Sequence, residues 1–392
     1  MTSTLKVIVL IFLMSLFSCS KDEFKSEPET NFSPIPSPTP EKKEDFYTIV
    51  CPRMYNIDMQ AANWIWTERE DYLPTFSNTE NWDTVLSQTD CIKLMFHPLT
   101  QRYDNASRQK LANLIQETGR EVLVELGGSR MEGGIKRNGD QAGEFAAKHD
   151  QKHLQKWLDT PGARLDAITT DHSMMWYVRE MTPQQIDLLI QEHLDYIEAM
   201  QKWKPGLKVG FIESLGYFKF AEGGYHQTSA VLPFFEFTAF MTELMTEANK
   251  RGIVIDHFDI DFGLRGIVRD SYGANQFHRW NEIENLDYGR ILKAEQVCRD
   301  LGLNVGVIFN ELLSNPLYEA GKYATQEEAD SDCALRNIEF IRGYLEAGGR
   351  PNRLVFQSWT MNPTRTGPES DSDSFLGITL RQLDEVSQFF GD

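Results

Sequence analysis

The segment 255–263 alternates ionisable side chains with large apolar ones. In an extended strand the ionisable residues share one face, and the phenylalanine and isoleucine residues between them share the other. A charge inside a folded protein costs several kcal/mol unless it is paired, hydrated or used. The segment therefore indicates either a buried salt-bridge network or a functional site. The ionisable residues on that shared face are His257, Asp259 and Asp261.

Similar side chains occur at the ends of other predicted strands. Eight segments have the apolar or alternating pattern of a strand: Phe46–Met54, Cys91–Pro98, Glu121–Gly127, Leu165–His172, Leu207–Gly216, Val254–Gly263, Leu303–Leu312 and Arg353–Trp359. Nearly all of them end in polar or ionisable residues, which are Arg53, His97, Glu125, Asp171, His172, Glu213, Asp259, Asp261, Asn310, Glu311 and Gln357.

Amphipathic segments that often end at a glycine separate these strands, which is the pattern of a parallel sheet. The predicted helices include Ala106–Glu117, Phe234–Arg251, Tyr288–Leu301 and Glu327–Ala347, and another from Pro183 to Lys202. Eight such units predict a (β/α)8 TIM barrel, whose active site lies at the C-terminal ends of the strands. The alternative, a doubly wound open sheet, would need a glycine-rich phosphate loop after the first strand, and the sequence there is Cys51-Pro52-Arg53.

The carboxylates at the strand ends could act as a catalytic pair. By alternation, Asp171 and Asp261 face the barrel interior closest to its mouth. Glu213 and Glu311 lie at strand ends, where bulges interrupt alternation, so they remain alternatives. One protonated and one ionised carboxyl group perform the chemistry of most glycoside hydrolases. The candidate catalytic residues are thus Asp171, Asp261, Glu213 and Glu311.

The other polar and aromatic residues near these strand ends suit a carbohydrate. Aromatic faces pack against the apolar faces of sugars, while amide, imidazole and guanidinium groups form hydrogen bonds with hydroxyls. The predicted substrate-binding residues are Arg53, His97, Glu125, His172, Trp176, Tyr217, Asp259, Asn310, Gln357 and Trp359.

The N-terminus has the pattern of an export signal. Lys6 precedes a short apolar run that ends at Phe17. The tetrad Leu16-Phe17-Ser18-Cys19 resembles the lipobox of bacterial lipoproteins, which implies cleavage before Cys19 and lipidation of its thiol. The following Ser20-Lys21-Asp22-Glu23 resembles the acidic signals that route some Gram-negative lipoproteins to the cell surface. The alternative is an ordinary secretory signal that contains a cysteine by chance.

Three regions are therefore expected: a signal peptide over 1–18, a tether over 19–45 and the barrel over 46–392. The tether holds five prolines among polar residues, and such a composition favours an extended chain without a core.

Composition narrows the function further. The net charge of -19 argues against binding to a nucleic acid backbone. The spacing of the cysteines after Cys19 does not suggest zinc, and no nucleotide motif is present, so no cofactor is expected. A disulfide among these cysteines is possible.

A lipoprotein with a Pro-rich tether and an acidic-lined barrel resembles the glycan-degrading lipoproteins of Gram-negative polysaccharide-utilisation systems. The barrel resembles those of the large clans of barrel-fold glycoside hydrolases. One clan carries catalytic Asp on strands four and six, where this chain has Asp171 and Asp261. Another uses Glu on strands four and seven; Glu311 matches the second position, whereas Asp171 stands at the first. The resemblance implies a glycosidase anchored to the outer membrane, at the cell surface or the periplasmic face.

Two other functions remain open. A metal-dependent barrel hydrolase could bind a divalent cation through His257, Asp259 and Asp261 with His97 or His172, although the first strand lacks the usual His-x-His pair. A non-catalytic glycan-binding lipoprotein could retain the barrel and its aromatic residues. A serine hydrolase is disfavoured because no GxSxG motif is present.

Overall fold

The structure, a computed structural model, describes residues 46–52, 72–128, 139–171, 173, 186–215, 218, 236–261, 288–309, 325–358 and 363–391. Eight parallel strands follow one another in chain order and close into a barrel, with helices between them. The predicted (β/α)8 TIM barrel is therefore confirmed. The described residues belong to one compact unit that runs from Lys43 to Asp392. Among them, no helix is both long enough and apolar enough to cross a membrane.

All eight predicted strands are present, each within its predicted bounds. The strands are β1 (Tyr47–Val50), β2 (Cys91–Met95), β3 (Glu121–Leu126), β4 (Ala167–Asp171), β5 (Lys208–Glu213), β6 (His257–Ile260), β7 (Asn304–Phe309) and β8 (Arg353–Phe356).

The described helices are α1 (Leu73–Phe76), α2 (Asp83–Ser87), α3 (Asn105–Thr118), α4 (Ala142–Leu158), α5 (Ile186–Trp203), α6 (Phe237–Arg251), α7 (Gly289–Asp300), α8 (Gln326–Glu346) and α9 (Phe375–Phe390). Their ends follow local chemistry. At the start of α3, the Asp104 carboxylate accepts a hydrogen bond from the Ser107 amide, and Gly119 ends the helix at a φ of +70°.

The strands separate two cores, as alternation predicts. Phe258 and Ile260 of β6 point outward and pack in the large core between the strands and the helices. A smaller apolar cluster, which includes Leu123, Ile212 and Val355, lies inside the barrel. His257 and Asp259 occupy the inward positions of β6 and are 0% and 1% exposed. The predicted alternation of this strand is therefore confirmed.

The strand registers place the inward residues in layers. The eight pairings add up to a shift of eight residues per circuit, the shear of a TIM barrel. With this shift, inward side chains at one height come from alternate strands. The layer at the C-terminal mouth, which we call the top layer, contains Met95, Asp171, Asp261 and Gln357. The second layer contains Cys51, Glu125, Ile212 and Ile308, and the third contains Lys93, Thr169, Asp259 and Val355.

Candidate functional site

The top layer brings together two of the predicted catalytic carboxylates. Asp171 is the last residue of β4 and is 9% exposed, whereas Asp261 directly follows β6 and is partly exposed. Their strands are two apart, so about 10 Å separates their backbones. Both side chains point inward, which brings the carboxyl groups closer together. This arrangement is compatible with the separations of about 5 to 9.5 Å found in glycosidase pairs.

A buried lysine connects the layers below. Lys93 is 1% exposed, and its ammonium lies 2.6 Å from Oε2 of Glu125. It also donates a hydrogen bond to Oε1 of Gln357 in the top layer. This bond fixes the orientation of the Gln357 amide, whose Nε2 has no hydrogen-bond partner among the described residues. Gln357 therefore offers a donor close to Asp171 and Asp261, which suits its predicted role in substrate binding.

A second ion pair lies deeper in the barrel. Arg353 donates two hydrogen bonds to Asp259. Its Nε lies 2.9 Å from Oδ1, and its Nη2 lies 3.1 Å from Oδ2. Burial acts to raise the pKa of Asp259, but the Arg353 charge holds that pKa below its ordinary value. The pair gives Asp259 a structural role beneath the site, and this geometry does not favour its predicted contact with substrate.

His257 adjoins this ion pair. Its Nδ1 lies 2.9 Å from a carboxylate oxygen of Asp256, and its Nε2 lies 3.9 Å from Asp259. Burial and the nearby Arg353 lower the pKa of His257. The ring is therefore a neutral structural group at neutral pH.

Two glycines make room for these buried groups. A Cβ at Gly306 would lie 1.9 Å from Oδ1 of Asp259, and one at Gly210 would lie 2.3 Å from the His257 ring. Both glycines face inward just below the third layer. The charged groups at the barrel centre thus depend on residues without side chains on β5 and β7.

Glu213 and His97 lie away from the centre of the mouth. Glu213 is paired in register with the outward-facing Ile260, so it points toward the helices, and it is completely buried. His97 is exposed in the helical turn after β2. The adjacent Phe96 contacts the ring of His153 on α4 at a centroid distance of 5.7 Å, so this turn packs against α4.

Several predicted residues lie outside the described part of the chain. They are Cys19, Arg53, His172, Trp176, Tyr217, Asn310, Glu311 and Trp359. Their predicted roles stay predictions.

Sequence reasoning did not identify Lys93 and Arg353 as part of this region. Lys93 stands between the outward-facing Ile92 and Leu94, so the alternation test that identified Asp259 could also have found it. Arg353 is the first residue of β8, at the end of the strand opposite the mouth. Attention to the C-terminal ends alone therefore could not identify it.

The described carboxylates and histidines do not form a metal site. No group of three or more His, Cys, Asp or Glu among the described residues is arranged to hold an ion. Both oxygens of Asp259 bind Arg353, which leaves the metal ligand set proposed for β6 incomplete. Cys51, Cys91, Cys298 and Cys333 are buried and form no disulfides with one another.

A cavity of about 270 Å³ lies outside the barrel strands. It lies between the segment around Asn78 and the segment that joins β8 to α9. Its lining includes Asn81, Arg365 and Pro368.

No known protein family matches the sequence, and no curated protein is similar to it. Among solved structures, the chain is similar to a GH10 endoxylanase retrieved from a sugarcane soil metagenome, with 11% identity, a TM-score of 0.48 and coverage of 87% of this chain and 98% of that one. A xylanase from Cellvibrio japonicus in complex with xylopentaose has 12% identity, a TM-score of 0.44 and coverage of 87% and 68%. The GH53 catalytic domain of Ignisphaera aggregans has 10% identity, a TM-score of 0.42 and coverage of 82% and 86%. At this distance no residue role is carried over, and the barrel assignment rests on the strand order of the chain itself.

Proposed function

We propose that this chain is a glycoside hydrolase that acts on a poly- or oligosaccharide. The observation that carries the proposal is the top layer of the barrel, where Asp171 and Asp261 lie at one height with Gln357 beside them. The deeper carboxylates of Glu125 and Asp259 form ion pairs with Lys93 and Arg353. The two aspartates at the mouth lie above these ion pairs, on the side from which a ligand would enter.

Two carboxyl groups on neighbouring sides of a mouth can act on opposite sides of a glycosidic bond. One protonates the departing oxygen, and the other attacks the sugar or activates a water molecule. Lys93 supports this site from below, because it holds Glu125 and the Gln357 amide in fixed positions. The Gln357 Nε2 then serves as a donor to a sugar hydroxyl.

The predicted aromatic residues complete the proposal. Trp176, Tyr217 and Trp359 follow strands four, five and eight in the sequence, so they can supply flat surfaces for sugar rings. We also propose that lipidated Cys19 anchors the enzyme to the outer membrane, at the cell surface or the periplasmic face. The Pro-rich segment would hold the barrel away from the bilayer.

The test compares Asp171→Asn and Asp261→Asn with the unaltered protein on a panel of polysaccharides, by the release of reducing ends. Each variant is expected to lose at least about a hundredfold in kcat/KM, because an amide cannot act as acid, base or nucleophile. Glu213→Gln is the matched control, and its loss should be much smaller because the side chain faces the helices.

The proposed pair is wrong if neither aspartate variant loses a hundredfold. Binding of a glycan by the unaltered protein without any release of reducing ends would identify a glycan-binding protein instead. Activity that disappears after exhaustive chelation and returns with a divalent cation would identify a metal-dependent hydrolase.

A further inference from the structure

A chain of polar groups lies behind β4, on the face opposite the barrel interior. Oγ1 of Thr170 is 3.0 Å from Oγ of Ser173, which is 3.1 Å from Nε2 of His193 on α5. Nδ1 of His193 is 2.7 Å from the carbonyl oxygen of Leu189. Thr170, Ser173 and His193 are 1%, 0% and 3% exposed. We call these three side chains the buried polar chain.

The direction of each hydrogen bond in the buried polar chain can be determined. The Leu189 carbonyl can only accept, so the proton of the ring must be on Nδ1 of His193. Burial lowers the pKa of His193 to about 4, so at neutral pH the ring is neutral and its Nε2 accepts the proton of Ser173. Ser173 has a single hydroxyl proton, and Thr170 must therefore donate to Ser173. With the proton on Nδ1, the three hydrogen bonds run in one direction, from Thr170 through Ser173 and His193 to the Leu189 carbonyl.

The position of the buried polar chain relates it to Asp171. Thr170 directly precedes Asp171, and Ser173 follows two residues later. The hydrogen bond between these two side chains links the positions on either side of Asp171. The bond to His193 then ties this turn to a helix of 18 residues. Asp171 is thereby attached to a rigid element although it stands at a strand end.

Gly128 supports the same turn from the end of β3. Its φ is +57°, and a Cβ there would lie 2.7 Å from Cβ and Cγ2 of Thr170 and 3.4 Å from Cβ of Ser173. The absence of a side chain lets the backbone after β3 pack directly against the turn. The turn is therefore held by β3 on one side and α5 on another.

Buried polar groups at a strand–helix interface cost free energy unless each finds a partner. The outward face of neighbouring β3 is apolar, with Val122, Val124 and Leu126. Packing alone would therefore not require a serine and a histidine behind β4. A fixed backbone at Asp171 is a benefit that apolar packing does not supply, because hydrogen bonds constrain direction as well as distance.

We propose that Ser173 and His193 are positioning residues that hold Asp171 in the geometry required for catalysis. The proposal rests on the proposed function of Asp171 as a catalytic carboxylate. Neither Ser173 nor His193 touches substrate in this proposal, and they act only through the backbone of the turn.

The test uses Ser173→Ala in the full chain, with Thr170→Val as a milder second variant. Ser173→Ala should lower kcat by about tenfold or more while KM changes little, since a misplaced catalytic group affects the reaction more than binding. Thr170→Val removes one hydroxyl at nearly constant volume and should act in the same direction more weakly. If Ser173→Ala does not fold, the kcat of Thr170→Val decides the test.

The matched control is Thr379→Val on α9. This buried hydroxyl donates to the Phe375 carbonyl at 2.9 Å, far from Asp171 in the chain. Thr379→Val should lower the unfolding temperature without changing kcat. The proposal is overturned if Ser173→Ala and Thr170→Val, like this control, change stability alone.

Two measurements do not depend on glycosidase activity. Nitrogen NMR of His193 should show the proton on Nδ1, and a proton on Nε2 would overturn the proposal. Carbon NMR should show that Ser173→Ala shifts the titration of the Asp171 carboxyl group, which Asp171→Asn identifies. If the unaltered protein cleaves no glycan, the proposed function fails, and an unchanged Asp171 titration would separately refute the positioning role.

Discussion

Single charged residues inside this barrel are stabilised by specific partners. Arg353 binds both oxygens of Asp259, and Lys93 lies against Glu125. Such pairs contribute little net stability compared with apolar residues of the same size, but the loss of one partner leaves a buried charge without compensation. The two ion pairs therefore make the interior intolerant of single changes below the proposed site.

The Arg353–Asp259 pair gives the first prediction. Arg353→Met should lower the free energy of unfolding by about 3 to 5 kcal/mol, because Asp259 stays buried without its partner. The double variant Arg353→Met with Asp259→Leu should lose less than the sum of the single losses. Chemical denaturation of all four proteins measures the coupling energy. Additive losses would contradict the structural role of this pair.

His193 gives a prediction on pH. Burial lowers its pKa from 6.5 in an accessible histidine to about 4 in the folded protein. The unfolded chain therefore binds a proton between these values while the folded protein does not, so stability falls as the pH decreases from 6.5 to 4. The loss from this residue between pH 7 and pH 5 should be about 2 kcal/mol.

The matched variant for this pH prediction is His193→Gln, which keeps a donor and an acceptor but does not titrate. Denaturation at pH 7 and pH 5 should give a smaller pH-dependent loss for this variant than for the unaltered protein. An equal loss in both proteins would show that other groups cause the acid sensitivity.

At the scale of the elements, the strands contribute space as well as side chains. Gly306 on β7 lies where any Cβ would overlap the Asp259 carboxylate. Gly306→Ala should therefore cost about 1 to 3 kcal/mol through overpacking, and its effect should extend to the Arg353 ion pair. Denaturation gives the stability. The control is Gly119→Ala, where the φ of +70° is unfavourable but nothing lies within 4 Å.

The Gly119 variant measures the cost of backbone conformation alone. When the double-mutant cycle of Arg353→Met and Asp259→Leu is repeated in each glycine variant, only Gly306→Ala should reduce the coupling energy between Arg353 and Asp259. The reason is that its Cβ displaces the Asp259 carboxylate from the guanidinium. A coupling energy in Gly306→Ala equal to that in the unaltered protein would contradict the close contact between Gly306 and Asp259.

The order and centres of the eight strands could be predicted from the sequence, because alternation and helix-terminating glycines are local signals. The assignment of each β6 residue to the inner or outer face also depends only on local alternation. The depth of each side chain could not be predicted, since it depends on the registers of all eight pairs. Asp259 and Asp261 have the same pattern in sequence, yet only Asp259 reaches Arg353.

Glu213 illustrates a second limit. Its position at the end of β5 allowed either face, and the pairing with Ile260 shows that it points outward. The helices α4 and α9 were also not predicted, although α9 has Ser374 as an N-cap and Gly391 at its end.

At the scale of the whole molecule, the proposed site opens at one end of the barrel. The cavity near Asn78 and Arg365 is lined by the segment that joins β8 to α9 and by no top-layer residue. The acidic net charge of -19 favours neutral or cationic glycans over anionic ones, most strongly at low salt.

The predicted anchor determines where such a molecule would act. If Cys19 is lipidated, the protein should sediment with outer membranes and incorporate labelled palmitate, since acyl chains bury many methylene groups in the bilayer. Cys19→Ala should abolish the label, and Cys333→Ala is the control because this thiol is buried in α8. Palmitate incorporation that survives in Cys19→Ala would refute the lipobox assignment. A soluble, cleaved and unlabelled unaltered protein would indicate an ordinary secretory signal, and the enzyme would then act on glycans that diffuse freely rather than on those captured at the membrane.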